Sequence, residues 1–196
     1  MQTGCASFSA PEAILQDIAV AEVHARRYGL NYLIGSGYTD AKYPNSQTLA
    51  EKALKFFFTH LSGRYSYPLG LINSGSVFSA EQALVDLEIC RDIHGHFRTF
   101  GGFEEIDQLL ELVQDVGVRG NFMEAEHTFL NFRRNWLPQI YDRKAFDTLE
   151  KSRALDVYRN AHERYRRLMS AGEFWQIEAE KAREIDRIVE TAERSL

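Results

Sequence analysis

Apolar residues recur at three- and four-residue spacing along most of the chain, and two short runs break that rhythm. Ile14, Leu15, Ile18 and Val23 predict an inward helix face that begins at the capping box Ser9-Ala10-Pro11-Glu12 and stops at Gly29. Residues 30–34 form a short apolar run of the fully buried strand type. A second helix, capped by Asn45 or Ser46, carries Leu49, Ala53, Leu54, Phe57 and Leu61 as its apolar stripe and ends at Gly63. Residues 67–72 are the next strand candidate, followed by the turn Asn73-Ser74-Gly75-Ser76. A second capping box, Ser79-Ala80-Glu81-Gln82, opens a helix with Leu84, Leu87, Ile89 and Ile93 that fails at Gly101-Gly102. The order αβαβα places a whole helix between successive strands, which predicts parallel strands with right-handed crossovers.

After Phe103 the strand pattern disappears. Ile106, Leu109, Leu110 and Val113 mark a helix ending near Gly117, and Arg119-Gly120-Asn121-Phe122 reads as a loop. Phe129, Phe132 and Trp136 stand at helical spacing and read as a core stripe that Pro138 breaks. Asp142 caps a predicted long helix through Leu149, Leu155, Tyr158 and Tyr165 to Met169, and Gly172 separates it from a last amphipathic helix with Ile185, Ile188 and Val189. The expected division is therefore a βα part, 1–102, and a helical extension, 103–196. Two or three parallel strands do not make a stable sheet, because parallel sheets need both faces covered and their edges protected. Thr3-Gly4-Cys5 also reads like the end of a strand. The expectation is a C-terminal part of a larger βα fold.

Composition narrows the functional classes. The 196 residues are 44% hydrophobic and 26% charged, which suits a globular domain and argues against disorder. The net charge of −5, with basic residues of 133–167 interleaved with acids, makes nucleic acid an unexpected partner. No apolar run approaches the roughly 20 residues of a membrane helix, so no membrane partner is expected. A signal peptide is not visible. Cys5 and Cys90 match no metal or redox spacing and read as free thiols in a reducing cytoplasm. His94 and His96 are two apart on a helix and face different ways, so no metal site is expected there.

The stretch 31–51 carries the most promising chemistry: a short strand, the glycine-loosened turn Gly35-Ser36-Gly37-Tyr38-Thr39-Asp40, and a helix start. In a parallel α/β protein such a turn sits at the carboxyl edge of the sheet, where ligands bind, and Tyr38, Thr39 and Asp40 would point into a pocket. The plainer alternative is an ordinary βα loop with a solvated aspartate. Asn73 and Ser74 follow the next strand and serve either a ligand or ordinary turn chemistry. His127 either orients a substrate or is a core histidine. Glu81, Asp86 and Glu88 read as capping and surface charges.

Several pieces in order and spacing carry a resemblance: Ala10-Pro11-Glu12-Ala13, Tyr28-Gly29-Leu30, Thr39-Asp40-Ala41-Lys42 with Gln47 and Glu51, and Leu71-Ile72-Asn73-Ser74-Gly75. Phe78-Ser79-Ala80-Glu81-Gln82 with Asp86 and Glu88, Val116-Gly117, Gly120-Asn121-Phe122, His127-Thr128, Asn131-Phe132-Arg133, Trp136-Leu137-Pro138 and Asp142-Arg143 continue it. Together they resemble the C-terminal part of the trimethylamine–corrinoid methyltransferase family. The resemblance implies the last strands and C-terminal helices of a (β/α)8 TIM barrel roughly twice this length. It implies an enzyme that moves a methyl group from a methylated amine to the cobalt of a separate corrinoid protein, with no cofactor bound directly. The expected partners are that amine and that corrinoid protein, in a cytoplasmic homo-oligomer; a non-catalytic docking or assembly module is the alternative.

Some archaeal members carry pyrrolysine; this chain has only standard residues, which resembles the pyrrolysine-free branch with its glycine betaine enzymes. A quaternary ammonium has no N–H and is held by aromatic faces and carboxylate charge. Asp40 is accordingly the expected catalytic residue. Tyr38, Thr39, Tyr43, Asn73, Ser74, Phe122 and His127 are the expected substrate-binding residues. The family carries His more often than Asn at the position of Asn121, which sets aside any role there that needs an imidazole.

Overall fold

The computed structural model describes residues 8–99, 106–134, 136–143, 156–172 and 177–195. They form a mixed α/β chain, mostly helical. In order come α1 (Ala13–Tyr28), α2 (Ser46–Leu61), β1 (Leu71–Ile72), β2 (Val77–Phe78), α3 (Ala80–Thr99), α4 (Ile106–Val116), α5 (Glu126–Asn131), α6 (Val157–Ala171) and α7 (Ala179–Ser195). Among the described residues no helix is long and apolar enough to cross a membrane. The chain divides into two compact units, 1–165 and 166–196.

In the first unit α2 packs on α3 and on α1. One apolar cluster joins Phe56 of α2, Val85 and Ile89 of α3, Ile140, and Ala161 of α6. A second joins Ile14 and Ala21 of α1 to Ile34. Ile14, Ile18 and Ala21 fall four and then three residues apart and share one helix face. Leu15 and Val23 lie off that stripe and are exposed, against expectation. Gly29 ends α1 as expected, in the left-handed conformation with its N–H on the Ala25 carbonyl. The start differs from the capping-box reading. Glu12 takes the cap position without a side-chain bond. Ser9 is instead drawn inward, where its carbonyl accepts Lys55 Nζ at 2.8 Å.

The two expected strands are barely realised. Ile34 makes only an isolated parallel bridge, to Ser66, one residue before the expected strand 67–72. Leu30 and Leu33 are exposed, which corrects the fully buried strand of residues 30–34. An apolar run expresses a tendency, but a ladder needs a neighbour to accept it. Residues 71–72 pair instead in a tight antiparallel hairpin, Leu71 with Phe78 and Ile72 with Val77. The return strand β2 was not expected.

Helix α2 is capped by Asn45, whose side chain accepts the Thr48 N–H at 3.1 Å. Its buried face is Thr48, Lys52, Lys55, Phe56 and Thr59. Leu54, Phe57 and Leu61 of the expected apolar stripe are exposed, while Leu49 and Ala53 are partly buried. Helix α3 begins as expected, with the Ser79 hydroxyl accepting the Gln82 N–H at 3.2 Å. Gly117 ends α4 in the left-handed conformation. Phe129 and Phe132 are exposed rather than core; they sit on the short α5 and the 3-10 turn after it. Trp136 is partly buried. The expected Asp142-capped helix runs through Leu149 and Leu155, which lie outside the described residues, as do Cys5 and Gly101. α6 begins at Val157, and Gly172 follows its end with a φ of 67°. In the second unit α7 leaves Ile185, Ile188 and Val189 exposed.

Candidate functional site

Two loops meet and are joined by backbone hydrogen bonds. The first, residues 35–43, follows Ile34. The second, Asn73-Ser74-Gly75, follows β1 and takes three successive left-handed conformations, with φ of 50°, 53° and 88°. Left-handed backbone is unusual for residues other than glycine and persists only where the surroundings hold it. Here the Asn73 N–H donates to the Ala41 carbonyl and the Ser74 N–H to the Thr39 carbonyl, each at 2.8 Å. The Ser74 hydroxyl donates to Asp40 Oδ1 at 2.6 Å. The first loop is tied back by Gly37, whose N–H reaches the Tyr67 carbonyl at 3.0 Å. A Cβ on Gly37 would lie 1.4 Å from the Pro68 carbonyl oxygen, so only glycine lets the two backbones approach this closely.

Of the expected site residues, the structure brings together Tyr38, Thr39, Asp40, Asn73 and Ser74. Asp40 is half-buried. The Tyr38 ring packs against Gly35 and Gly75, with the Phe8 ring edge-on at 5.5 Å. Tyr43 stands on the same loop, exposed, and its carbonyl accepts the Thr48 hydroxyl at 3.1 Å. Thr39 is fully buried, and its hydroxyl donates to Glu51 Oε2 at 2.5 Å. Phe122 and His127 belong to a different segment, a 3-10 turn and α5, and both are exposed. Among the described residues, neither makes a hydrogen bond or ring contact to the Asp40 loop; the exposure of His127 also removes the core-histidine reading.

Beneath the loops lies a layer of buried charge. Lys55 Nζ donates to the carbonyls of Tyr38 and Ser9, fixing the first loop from below. Burial pulls the Lys55 ammonium down to about 8, with Glu51 and Asp40 acting against that shift and Lys52 adding to it. Next to it Lys52 Nζ meets Asp86 Oδ2 at 2.6 Å, and both side chains are fully buried. Asp86 also accepts the Gly70 N–H at 2.7 Å and Gln82 Nε2 at 2.7 Å. The Tyr158 hydroxyl of α6 donates to Gln82 Oε1 at 2.8 Å. Burial pushes the Asp86 carboxyl up and the Lys52 ammonium down, and each partner offsets part of the other's shift.

These residues correct the reading of Asp86 and Glu88 as surface charges. Asp86 anchors Gly70, one residue before β1. Glu88, almost fully buried, accepts the Gln139 and Ile140 N–H groups at 2.5 and 2.6 Å. Glu81 does sit at the surface side, where it meets His162 Nδ1 at 2.9 Å. Lys52, Lys55 and Asp86 were missed although a signal existed. Thr48, Lys52, Lys55 and Thr59 recur at helical spacing, a polar stripe as regular as the apolar one. Glu51 appeared only in the family pattern, without a role.

The arrangement carries a carboxylate, Asp40, and an aromatic residue, Tyr38, on one hydrogen-bonded double loop. That suits a compact cation. Among the described residues no group of three His, Cys, Asp or Glu side chains is placed to hold a metal ion.

Two loops converging over a buried polar layer mark a candidate site in a mixed α/β protein. The family model "Trimethylamine methyltransferase (MTTB)" matches residues 1–196, and the chain belongs to that family. It is 27% identical to trimethylamine methyltransferase MttB of Methanosarcina barkeri, over 100% of this chain and 39% of that protein. It is 29% identical to trimethylamine methyltransferase MttB of Desulfitobacterium hafniense, over 83% of this chain and 33% of that protein. A glycine betaine methyltransferase of Desulfitobacterium hafniense is 27% identical over 87% of this chain and 36% of its own length. The chain thus spans less than two fifths of each of these relatives.

Proposed function

We propose that the chain is the closing part of a pyrrolysine-free amine:corrinoid methyltransferase, with 1–102 contributing βα units to a TIM barrel and 103–196 forming its helical extension. The substrate is a methylated amine, a quaternary one such as a betaine or else trimethylamine. The acceptor is the cobalt of a corrinoid carried by a separate protein. In the transfer the C–N bond breaks with its electron pair left on nitrogen, and the methyl carbon bonds to cobalt(I), which supplies the new pair. A quaternary ammonium leaves as a neutral tertiary amine, so no general acid is needed. The protein's task is orientation and desolvation. Asp40 supplies the charge that faces the cation, and Tyr38 and Tyr43 supply aromatic surface. Asn73 and Ser74 hold the loop or a substrate carboxylate, Thr39 positions the loop through Glu51, and Phe122 and His127 contact substrate from the helical extension.

The observation that carries this reading is the Asp40 carboxylate held by Ser74 at the meeting of the two loops, in a chain of this family. The test is methyl transfer to reduced cobalamin from glycine betaine, other betaines and trimethylamine, with this chain in a complete barrel. Asp40→Ala is expected to lower kcat/KM at least about tenfold, the scale of one lost charged contact, with little change in thermal midpoint. No turnover with any amine would overturn the assignment. Unchanged Asp40→Ala kinetics would remove Asp40 from the site.

A further inference from the structure

A cavity of about 720 Å³ opens between α3 and Arg133, Arg134 and Trp136, and none of its lining residues belongs to the two loops. Arg91, His94, Arg98, Arg133, Arg134 and Trp136 line it, and no carboxylate is among its lining residues. Arg91, His94 and Arg98 share one face of α3 by their spacing of three and four residues. The opposing segment is held in place by built contacts. Glu88 binds the N–H groups of Gln139 and Ile140. Gly95 admits Trp136, since a Cβ there would lie 2.6 Å from the Trp136 Cβ.

Among the described residues, no carboxylate forms an ion pair with Arg91, Arg98, Arg133 or Arg134. Arg134 Nη1 donates to the neutral Asn131 Oδ1 at 2.8 Å, and Arg91 Nη1 reaches Gln139 Oε1 at 3.5 Å. The Arg133 guanidinium lies 5.2 Å from the centre of the Phe132 ring. Four arginines lining one cavity, with no carboxylate paired to them among the described residues, run against the chain's net charge of −5. One carboxylate is satisfied by one guanidinium fork, so four forks match a polyvalent oxyanion.

We infer that the α3 cavity is a binding site for a phosphate-bearing ligand, held by Arg91, Arg98, Arg133 and Arg134. The site stands independently of the methyl-transfer reading. The test is calorimetric titration of the purified protein with inorganic pyrophosphate, inorganic phosphate and citrate. Saturable binding is expected, with pyrophosphate tightest. An Arg98→Gln/Arg133→Gln double variant should raise its Kd about tenfold or more, because charged hydrogen bonds are lost. Arg183→Gln on α7 removes the same kind of charge elsewhere and should change nothing. Arg98→Lys keeps the charge but loses the fork, and should also weaken pyrophosphate binding without disturbing the fold. Absence of saturation overturns the site. So does double-variant binding equal to the parent's, and citrate binding as tightly as pyrophosphate overturns the phosphate class.

Discussion

Asp86→Asn tests the buried layer most directly, because it removes one charge while keeping the side chain's shape. Lys52 and Asp86 are 2.6 Å apart and fully buried. At that distance their attraction is about 6 kcal/mol at an effective dielectric constant near 20. Desolvation costs several kcal/mol for each ion, so the intact pair contributes little net stability. Removing one partner is different, because the remaining ion keeps its penalty and loses its compensation. Lys52 can escape by shedding its proton, which at pH 7 costs about 5 kcal/mol from an unfolded value near 10.4. The expected loss for Asp86→Asn is therefore about 3–5 kcal/mol, measured by urea denaturation followed by circular dichroism.

The sign with pH is distinctive. In Asp86→Asn the folded Lys52 value falls far below the unfolded one, so between them the unfolded chain binds more protons and stability rises with pH. The recovery should approach 1.4 kcal/mol per pH unit above neutrality. Lys52→Met/Asp86→Leu, which removes both charges, should recover most of the loss. A loss under about 1 kcal/mol for Asp86→Asn, or a double variant no better than the single one, would refute the reasoning.

Two further outcomes are expected. Lys55 is held at about 8, below its unfolded value, so the stability difference between the parent and Lys55→Met should shift in the parent's favour as pH rises from 8 towards 10.4. A difference that stays flat across that window in denaturation curves would count against the shift. Gly37→Ala puts a methyl group against the Pro68 carbonyl and should cost about 3 kcal/mol in a denaturant titration, whereas Gly63→Ala, whose added Cβ meets open space, should cost less.

Apart from the capping box at Ser9, stop and start signals were legible in the sequence because they are local. Gly29, Asn45, Ser79 and Gly117 act on backbone groups within a turn of themselves, and each does in the structure what its residue type predicts. The loop at 73–75 was legible for the same reason, since asparagine and glycine mark left-handed backbone, and the loop at 35–43 was legible from its glycines, of which Gly37 permits a close backbone approach. Which face of α2 turns inward was not legible. Apolar spacing names Leu54, Phe57 and Leu61, but burial follows partners, and Lys52 and Lys55 have a carboxylate and two carbonyls waiting on other segments. Those partners are between 17 and 46 residues away, beyond any periodicity. The hairpin partner Val77–Phe78 was hidden because two residues make no pattern. Phe122 and His127 had a family motif but no spatial argument.

The buried charge and the strained turn support each other. Left-handed backbone at Asn73 and Ser74 costs roughly 1–2 kcal/mol per residue. Against it stand two backbone hydrogen bonds, each contributing about 0.5–1.5 kcal/mol, and the Ser74 hydroxyl bond to a carboxylate, about 1.5–3 kcal/mol. The sum favours the observed turn only while the first loop offers the Thr39 and Ala41 carbonyls and the Asp40 carboxylate in register. That register is set from below, where Lys55 grips the Tyr38 carbonyl and Glu51 grips the Thr39 hydroxyl. An apolar layer in place of Lys55 and Glu51 would pack, but it has no donor for one group and no acceptor for the other. The polar stripe of α2 thus costs desolvation and returns a fixed loop, and Asp40 holds its place as a consequence.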